Sequence, residues 1–218
     1  MIRYAVKIIL VLTAFATPAS ACRTALLLAV DVSSSIDAAE YNFQVGGLAD
    51  ALLEPQIADV LLRDQVALAV VQWSGAAEQE LAISWRRMLS AEEITDFARR
   101  VRAMPRLWSK SSTATGDALK FSVQQFGAVS DCRRKVIDVS GDGAQNTGTD
   151  TATESRRAEA AGVEINGLAI DEMGLSITEY YRRFLITRGG FVETARGYLS
   201  YPDAIRRKLL RELTKPTV

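Results

Sequence analysis

Apolar runs alternate with stretches of helical spacing along nearly the whole chain. Residues 25–30 (Ala-Leu-Leu-Leu-Ala-Val) are continuously apolar. A strand covered on both faces reads this way, as in the middle of a parallel sheet. Asp37 and Glu40 then have capping-box spacing, and Tyr41, Val45, Leu48 and Leu52 recur as one face of a helix, with Pro55 near its end. Gly46-Gly47 inside that helix points to close packing on the sheet. Residues 66–71 read as a second buried strand, running on to Gln72-Trp73-Ser74-Gly75. Leu81, Ile83 and Trp85 alternate with polar residues, which suits a half-buried edge strand. Ser90 and Glu93 give a second capping box ahead of Ile94, Phe97, Val101 and Met104, and Pro105 stops that helix.

A polar loop over 108–112 precedes a third helical pattern at Leu119, Val123 and Phe126, with Gly127 placed to end it. Residues 136–140 read as a strand, 153–161 as a short helix, and 163–170 as a further strand. Residues 177–185 read as helix and Phe191-Val192 as a short last strand. Ile205, Leu209 and Leu213 give the face of a final helix. Buried strands alternating with amphipathic helices predict an α/β fold: a doubly wound, mostly parallel central sheet with one antiparallel edge strand and helices on both faces. Ligands in such sheets bind outside the carboxyl ends of the strands, where strand order reverses.

Composition narrows the chemistry. The 218 residues are 48% hydrophobic, enough for one sizeable core. Lys+Arg and Asp+Glu both number 26, so there is no basic field of the kind a nucleic-acid partner needs. Histidine is absent, which removes the usual general base, the Ser–His and Cys–His nucleophile pairs, and most zinc or copper sites. Residues 1–21 read as a signal peptide: Arg3 and Lys7 before a short apolar stretch, then Ala19-Ser20-Ala21 as the cleavage site. The stretch is too short for a stable membrane span, so none is expected in the mature chain. Cleavage gives a domain of 22–218, exported to the periplasm or the medium; an uncleaved anchor and a lipid-modified Cys22 are the alternatives. Taking Arg3 and Lys7 from 26 basic residues leaves 24 against 26 acidic, a net charge of −2. Cys22 lies nine residues before Asp31, and Cys132 lies ten before Asp142. If their strands are parallel neighbours the two cysteines share one end of the sheet, which predicts a Cys22–Cys132 disulfide.

The candidate chemistry gathers at strand ends. Asp31, Ser33 and Ser35 follow the first strand at spacing i, i+2, i+4, so three oxygen-bearing side chains can converge. Hard oxygen donors without thiolate or imidazole suit Mg2+ or Mn2+. Asp and Ser are also what any turn or helix cap uses, so this motif alone decides little. Thr113 opens a Thr-Ala-Thr-Gly loop before a helix, and Asp142-Gly143 follows the central strand.

These three elements, in this order and each at a strand end, resemble the von Willebrand factor type A (vWA) domain and its metal-ion-dependent adhesion site. The likeness spans about residues 23–213. The string Val136-Ile137-Asp138-Val139-Ser140-Gly141-Asp142-Gly143 also resembles an exported, uncharacterised bacterial branch of that family, as does Ala204-Ile205-Arg206-Arg207-Lys208-Leu209-Leu210. The resemblance implies that Ser33 and Ser35 bind the metal directly and Thr113 in the ligand-engaged state. It implies that Asp31 and Asp142 hold metal-bound waters, or bind directly when no ligand is engaged. It leaves one coordination position for an Asp or Glu carboxylate of a partner protein. Ser34 departs from the family, which often has Gly there. Thr115 is a second candidate for the role of Thr113, which the family pattern favours.

Other residues keep two readings. Asp138, inside an apolar strand, is either a second site element or a structural partner of a backbone amide, Arg133 or Arg134. Trp73 and Trp108 are either core or an aromatic rim. Lys110, Gln145 and Asn146 either border the site or are solvated surface, and Asp171 is either a neighbour of the site or a turn residue. Arg206-Arg207-Lys208 reads as the solvated face of the last helix. The function expected is a metal-dependent protein-binding module and not an enzyme. A metal-dependent phosphoester hydrolase and a structural domain with an unused site are the alternatives.

Overall fold

The computed structural model describes residues 22–172, Gly174 and 176–215. The expected signal peptide and cleavage site therefore lie outside the described residues. Strand β1 (Thr24–Asp31) is buried along its whole length and leads into α1 (Ala38–Leu53). The capping box expected at Asp37 and Glu40 is formed in both directions, which fixes the angle at which the chain leaves the β1 loop. Pro55 does more than end α1: it occupies the first turn of a second helix, α2 (Pro55–Arg63), where its missing N–H is no loss. Next come β2 (Ala67–Trp73), β3 (Gln79–Arg87) and α3 (Ala91–Arg102). At α3 only half of the expected box forms. Ser90 accepts from Glu93 N, while the Glu93 carboxylate accepts from Leu89 N.

Helix α4 (Thr115–Gln125) runs on into a 3-10 turn, Phe126–Val129, so Gly127 is not its stop. Then follow β4 (Arg134–Gly141), α5 (Thr151–Ala160) and β5 (Val163–Ile170). The helix expected over 177–185 divides into α6 (Ser176–Tyr180) and a π-helical turn, Tyr181–Leu185. Strand β6 is Val192–Ala195, one residue later than the sequence suggests, and α7 (Tyr201–Thr214) closes the fold.

The six strands run β3-β2-β1-β4-β5-β6. All neighbours are parallel except β2 and β3, so β3 is the antiparallel edge. Strand order reverses between β1 and β4. Even-numbered β1 residues (Leu26, Leu28, Val30) face α1, α2, α3 and α7. Odd-numbered ones (Ala25, Leu27, Ala29) face α4, α5 and the π-turn. Gly47 packs against α7 and not against the sheet: a Cβ there would stand 3.0 Å from Pro202 Cα. Cys22 and Cys132 are disulfide-bonded at the amino ends of β1 and β4, with Cα atoms 4.6 Å apart.

The basic run of α7 is split. Arg206 and Arg207 are half exposed, but Lys208 is fully buried. Its Nζ lies 2.6 Å from Asp138 Oδ1 and 3.0 Å from Glu212 Oε2. Asp138 is therefore met neither by a backbone amide nor by Arg133 or Arg134, but by Lys208 as an ion pair. Neither of its oxygens takes an aligned hydrogen bond. Arg134 pairs instead with Glu164, 2.9 Å away. Burial pushes Asp138 up to about 7, opposed in part by Lys208, and Glu212 adds to the rise.

Candidate metal centre

Asp31 is the last residue of β1, and Asp142 is the first after β4, so neighbouring strands deliver both carboxylates to one rim of the sheet. The β1 loop is held by its backbone. Val32 N donates to Trp73 O (2.9 Å) and Ser34 N to Ser111 O (2.9 Å). From below, the Arg106 guanidinium donates to Val32 O (3.1 Å) and Ser33 O (2.8 Å). Thr113 is clamped by Asn146, whose Oδ1 accepts from Thr113 N (2.9 Å) and whose N donates to Thr113 O (3.0 Å).

The five predicted side chains meet. Asp31 Oδ1 accepts from Ser33 N at 2.8 Å. Ser33 Oγ and Ser35 Oγ are 3.3 Å apart, and Thr113 Oγ1 donates to Ser33 Oγ at 3.3 Å. Ser35 Oγ donates to Asp142 Oδ1 at 2.6 Å. Tyr198 OH holds the other oxygen, Asp142 Oδ2, at 3.0 Å. Thr115 does not join them: it is the first residue of α4, fully buried, with its Oγ1 unpaired among the described residues.

Several open readings close here. Trp73 is core, and Trp108 packs partly buried against the core. Asp171 caps α6, accepting from Ile177 N and Thr178 N at 3.0 Å each. Gln145 accepts from Thr151 N at 2.9 Å, and Lys110 is exposed surface. Arg106 and Tyr198 were not singled out from the sequence. Arg106 follows Pro105 in an ordinary loop and Tyr198 sits 56 residues after Asp142, so no local pattern marks either.

The donor set fits a small divalent cation. Three neutral hydroxyls and two carboxylates, all hard oxygen donors, offer charge enough to neutralise it. The same arrangement is costly without a cation. Asp31 is fully buried and its Oδ2 has no partner among the described residues. Burial, and then the charge of Asp142, push the Asp31 carboxyl up to about 7 from 3.8. A positive charge between the two carboxylates would offset both penalties. Among the described residues no cluster of three or more His, Cys, Asp or Glu side chains gathers. Any cation at this rim therefore depends on the hydroxyls.

Solved structures share this architecture. Proximal thread matrix protein 1 from the mussel byssus, in a structure whose MIDAS motif is occupied by zinc, matches at TM-score 0.68 and 18% identity. That match covers 88% of this chain and 48% of the mussel protein, so this chain spans about half of it. A von Willebrand factor type A protein from Catenulispora acidiphila matches at TM-score 0.63 and 17% identity, over 89% of this chain and 44% of that one. The vWF domain of the type V pili tip protein Mfa5 from Porphyromonas gingivalis matches at TM-score 0.62 and 12% identity, over 92% and 99% of the two chains. At these identities the likeness is one of fold: this chain has the fold of a von Willebrand factor type A domain. No curated protein sequence matches it. By sequence, residues 21–217 match the family described as "Protein of unknown function (DUF1194)", and the chain belongs to that family.

Proposed function

We propose that this chain is an exported binding module, cleaved before Cys22, that holds Mg2+ or Mn2+ at the β1–β4 rim and recognises a partner protein. Ser33, Ser35 and Thr113 bind through their hydroxyls, and Asp31 and Asp142 bind directly or through water. The bound cation supplies an electrophilic centre for an Asp or Glu carboxylate of the partner. The observation that carries this reading is the convergence of three hydroxyls on two carboxylates, one of them buried with an unpaired oxygen. Neutral hydroxyls matter to the partner as well. An all-carboxylate cage would repel an incoming carboxylate, whereas this set leaves the centre attractive to it. The mussel protein's zinc-occupied site supports a divalent ion in this fold.

Calorimetry with Mg2+ and Mn2+ on the full chain tests the metal. One-site binding is expected, and it is lost in Asp142→Ala and in Ser33→Ala. No heat from the unaltered chain defeats the metal reading. Capture of secreted-fraction proteins with and without EDTA tests the interface. A partner held equally in EDTA and by Ser33→Ala excludes this rim as its contact. Turnover of phosphoester substrates that disappears in the same variants would instead make the chain a hydrolase.

A further inference from the structure

Asp31 has a second side to its environment. Its Oδ2 lies beside Gly141 on β4 and finds no partner among the described residues. The hydroxyl of Tyr181, on a fully buried side chain, is equally unpaired there. Both oxygens border one spot. A Cβ added to Gly141 would stand 2.7 Å from Asp31 Oδ2 and 2.8 Å from Tyr181 OH. A second glycine, on the neighbouring strand, admits the ring: a Cβ on Gly167 would stand 2.7 Å from Tyr181 Cδ2. Tyr181 itself opens the π-turn, which closes with Ile186 N donating to Tyr181 O at 3.1 Å and sets Tyr181 and Leu185 against the sheet. Such turns often occur at functional sites.

Ordinary core packing does not account for this hydroxyl. A phenylalanine would fill the same slot, and a buried hydroxyl left unpaired is destabilising. A carboxylate oxygen can only accept and a phenol can donate, so the two orphaned atoms at this spot are complementary. Nearly all buried polar groups in folded proteins are paired.

We propose that Tyr181 is a positioning residue of the metal centre: its hydroxyl donates to Asp31 Oδ2 across the approach that the missing Cβ of Gly141 leaves open. Asp31 is then held from both ends, by Ser33 N at Oδ1 and by Tyr181 at Oδ2. Its carboxylate is fixed in the orientation the centre needs. This assignment rests on the metal reading above.

Two measurements test it. Calorimetry on Tyr181→Phe should show Mn2+ and Mg2+ affinity reduced about 10–100-fold, the usual effect of losing such a partner. The far-ultraviolet circular dichroism of the metal-free variant should stay unchanged while its cation affinity falls, a split that a merely structural tyrosine would not produce. Affinity within about twofold of the unaltered chain overturns the proposal. The second measurement needs neither metal nor a Tyr181 variant. In metal-free chain carrying 13Cζ-tyrosine, the Tyr181 signal should move in Asp31→Asn, and a signal that stays put overturns the contact. An unaltered chain that binds neither cation removes the metal reading, and with it the affinity role. An unmoved NMR signal with cation binding intact removes Tyr181 alone.

Discussion

Arg106 spans the back of the β1 loop, donating to the carbonyls of Val32 and Ser33. Its own loop is fastened by Gln72, a fully buried residue whose Nε2 donates to Pro105 O at 2.8 Å and whose Oε1 accepts from Leu107 N at 2.9 Å. Replacing Arg106 by Met keeps the stem and removes both clamps. Calorimetry should show cation affinity reduced by roughly 10-fold, with the far-ultraviolet circular dichroism of the chain unchanged. The five residues that the structure gathers were readable because their kind and order could be matched to strand ends. Asn146 carries both a border and a surface reading, whereas Arg106, Tyr181 and Tyr198 carry no mark of the site. Each acts on the site from a segment whose position depends on the finished sheet, and an arginine after a proline or a tyrosine in a helix carries no mark of that. Gly141 and Gly167 were visible as glycines within strands, which hints at close approach, but not at what approaches.

At the level of elements, α7 shows how a helical stripe can mislead. Ile205, Leu209 and Leu213 mark its apolar face, and Lys208 and Glu212 lie on that same face at i+3 and i+7 from Ile205. Beside Arg206 and Arg207 the lysine looks like surface. The clue lay elsewhere, in Asp138, a lone acid in an apolar strand that needed a partner from some other element. Removing Lys208 leaves two buried carboxylates, Asp138 and Glu212, without their cation. Lys208→Ala should lower stability by about 3–5 kcal/mol in urea unfolding, and Asp138→Asn/Lys208→Met should recover part of that.

The same cluster gives a pH dependence with a definite sign. Two acids face one lysine, and burial raises Asp138 from 3.8 to about 7. The folded chain therefore binds a proton there that the unfolded chain has released. That contribution is complete below the unfolded value and is lost as pH rises through about 7. Stability at this site should therefore fall as pH rises from the unfolded value towards about 7, and level off above it. Asp138→Asn should flatten that part of the curve relative to the unaltered chain, as read by unfolding at each pH.

Across the whole molecule, the disulfide and the candidate metal rim occupy opposite ends of the central strand pair. Cys22 and Cys132 join the amino ends of β1 and β4, while Asp31 and Asp142 lie at their carboxyl ends. Reducing the bridge, or Cys22→Ser/Cys132→Ser, should cost about 2–5 kcal/mol in chemical unfolding. Cation binding at concentrations and temperatures where the chain stays folded should be unchanged. The alternation of apolar runs and helical spacing made the α/β architecture and the antiparallel edge legible in advance. Helix α2 was missed because Pro55 reads equally as an end and as a beginning. The π-turn was missed because an i to i+5 bond has no distinct spacing of apolar residues. The strand order itself came only with the structure, since local sequence does not say which side of β1 the later strands join.

The position of β1 between β2 and β4 has a consequence for a chain made from its amino end. Strand β2 follows β1 closely, but β4 follows only after β3, α3 and α4, with Cys132 a full 110 residues behind Cys22. During that interval one edge of β1, long and apolar, faces no strand, and Cys22 is an unmatched thiol beside it. Such an edge is a template for the wrong neighbour. Over the same interval Asp31, Ser33 and Ser35 lack Asp142, and Thr113 lacks the Asn146 clamp that follows β4. A newborn chain thus acquires its bridge, its covered edge and its complete rim of oxygen donors in one late event, the arrival of β4.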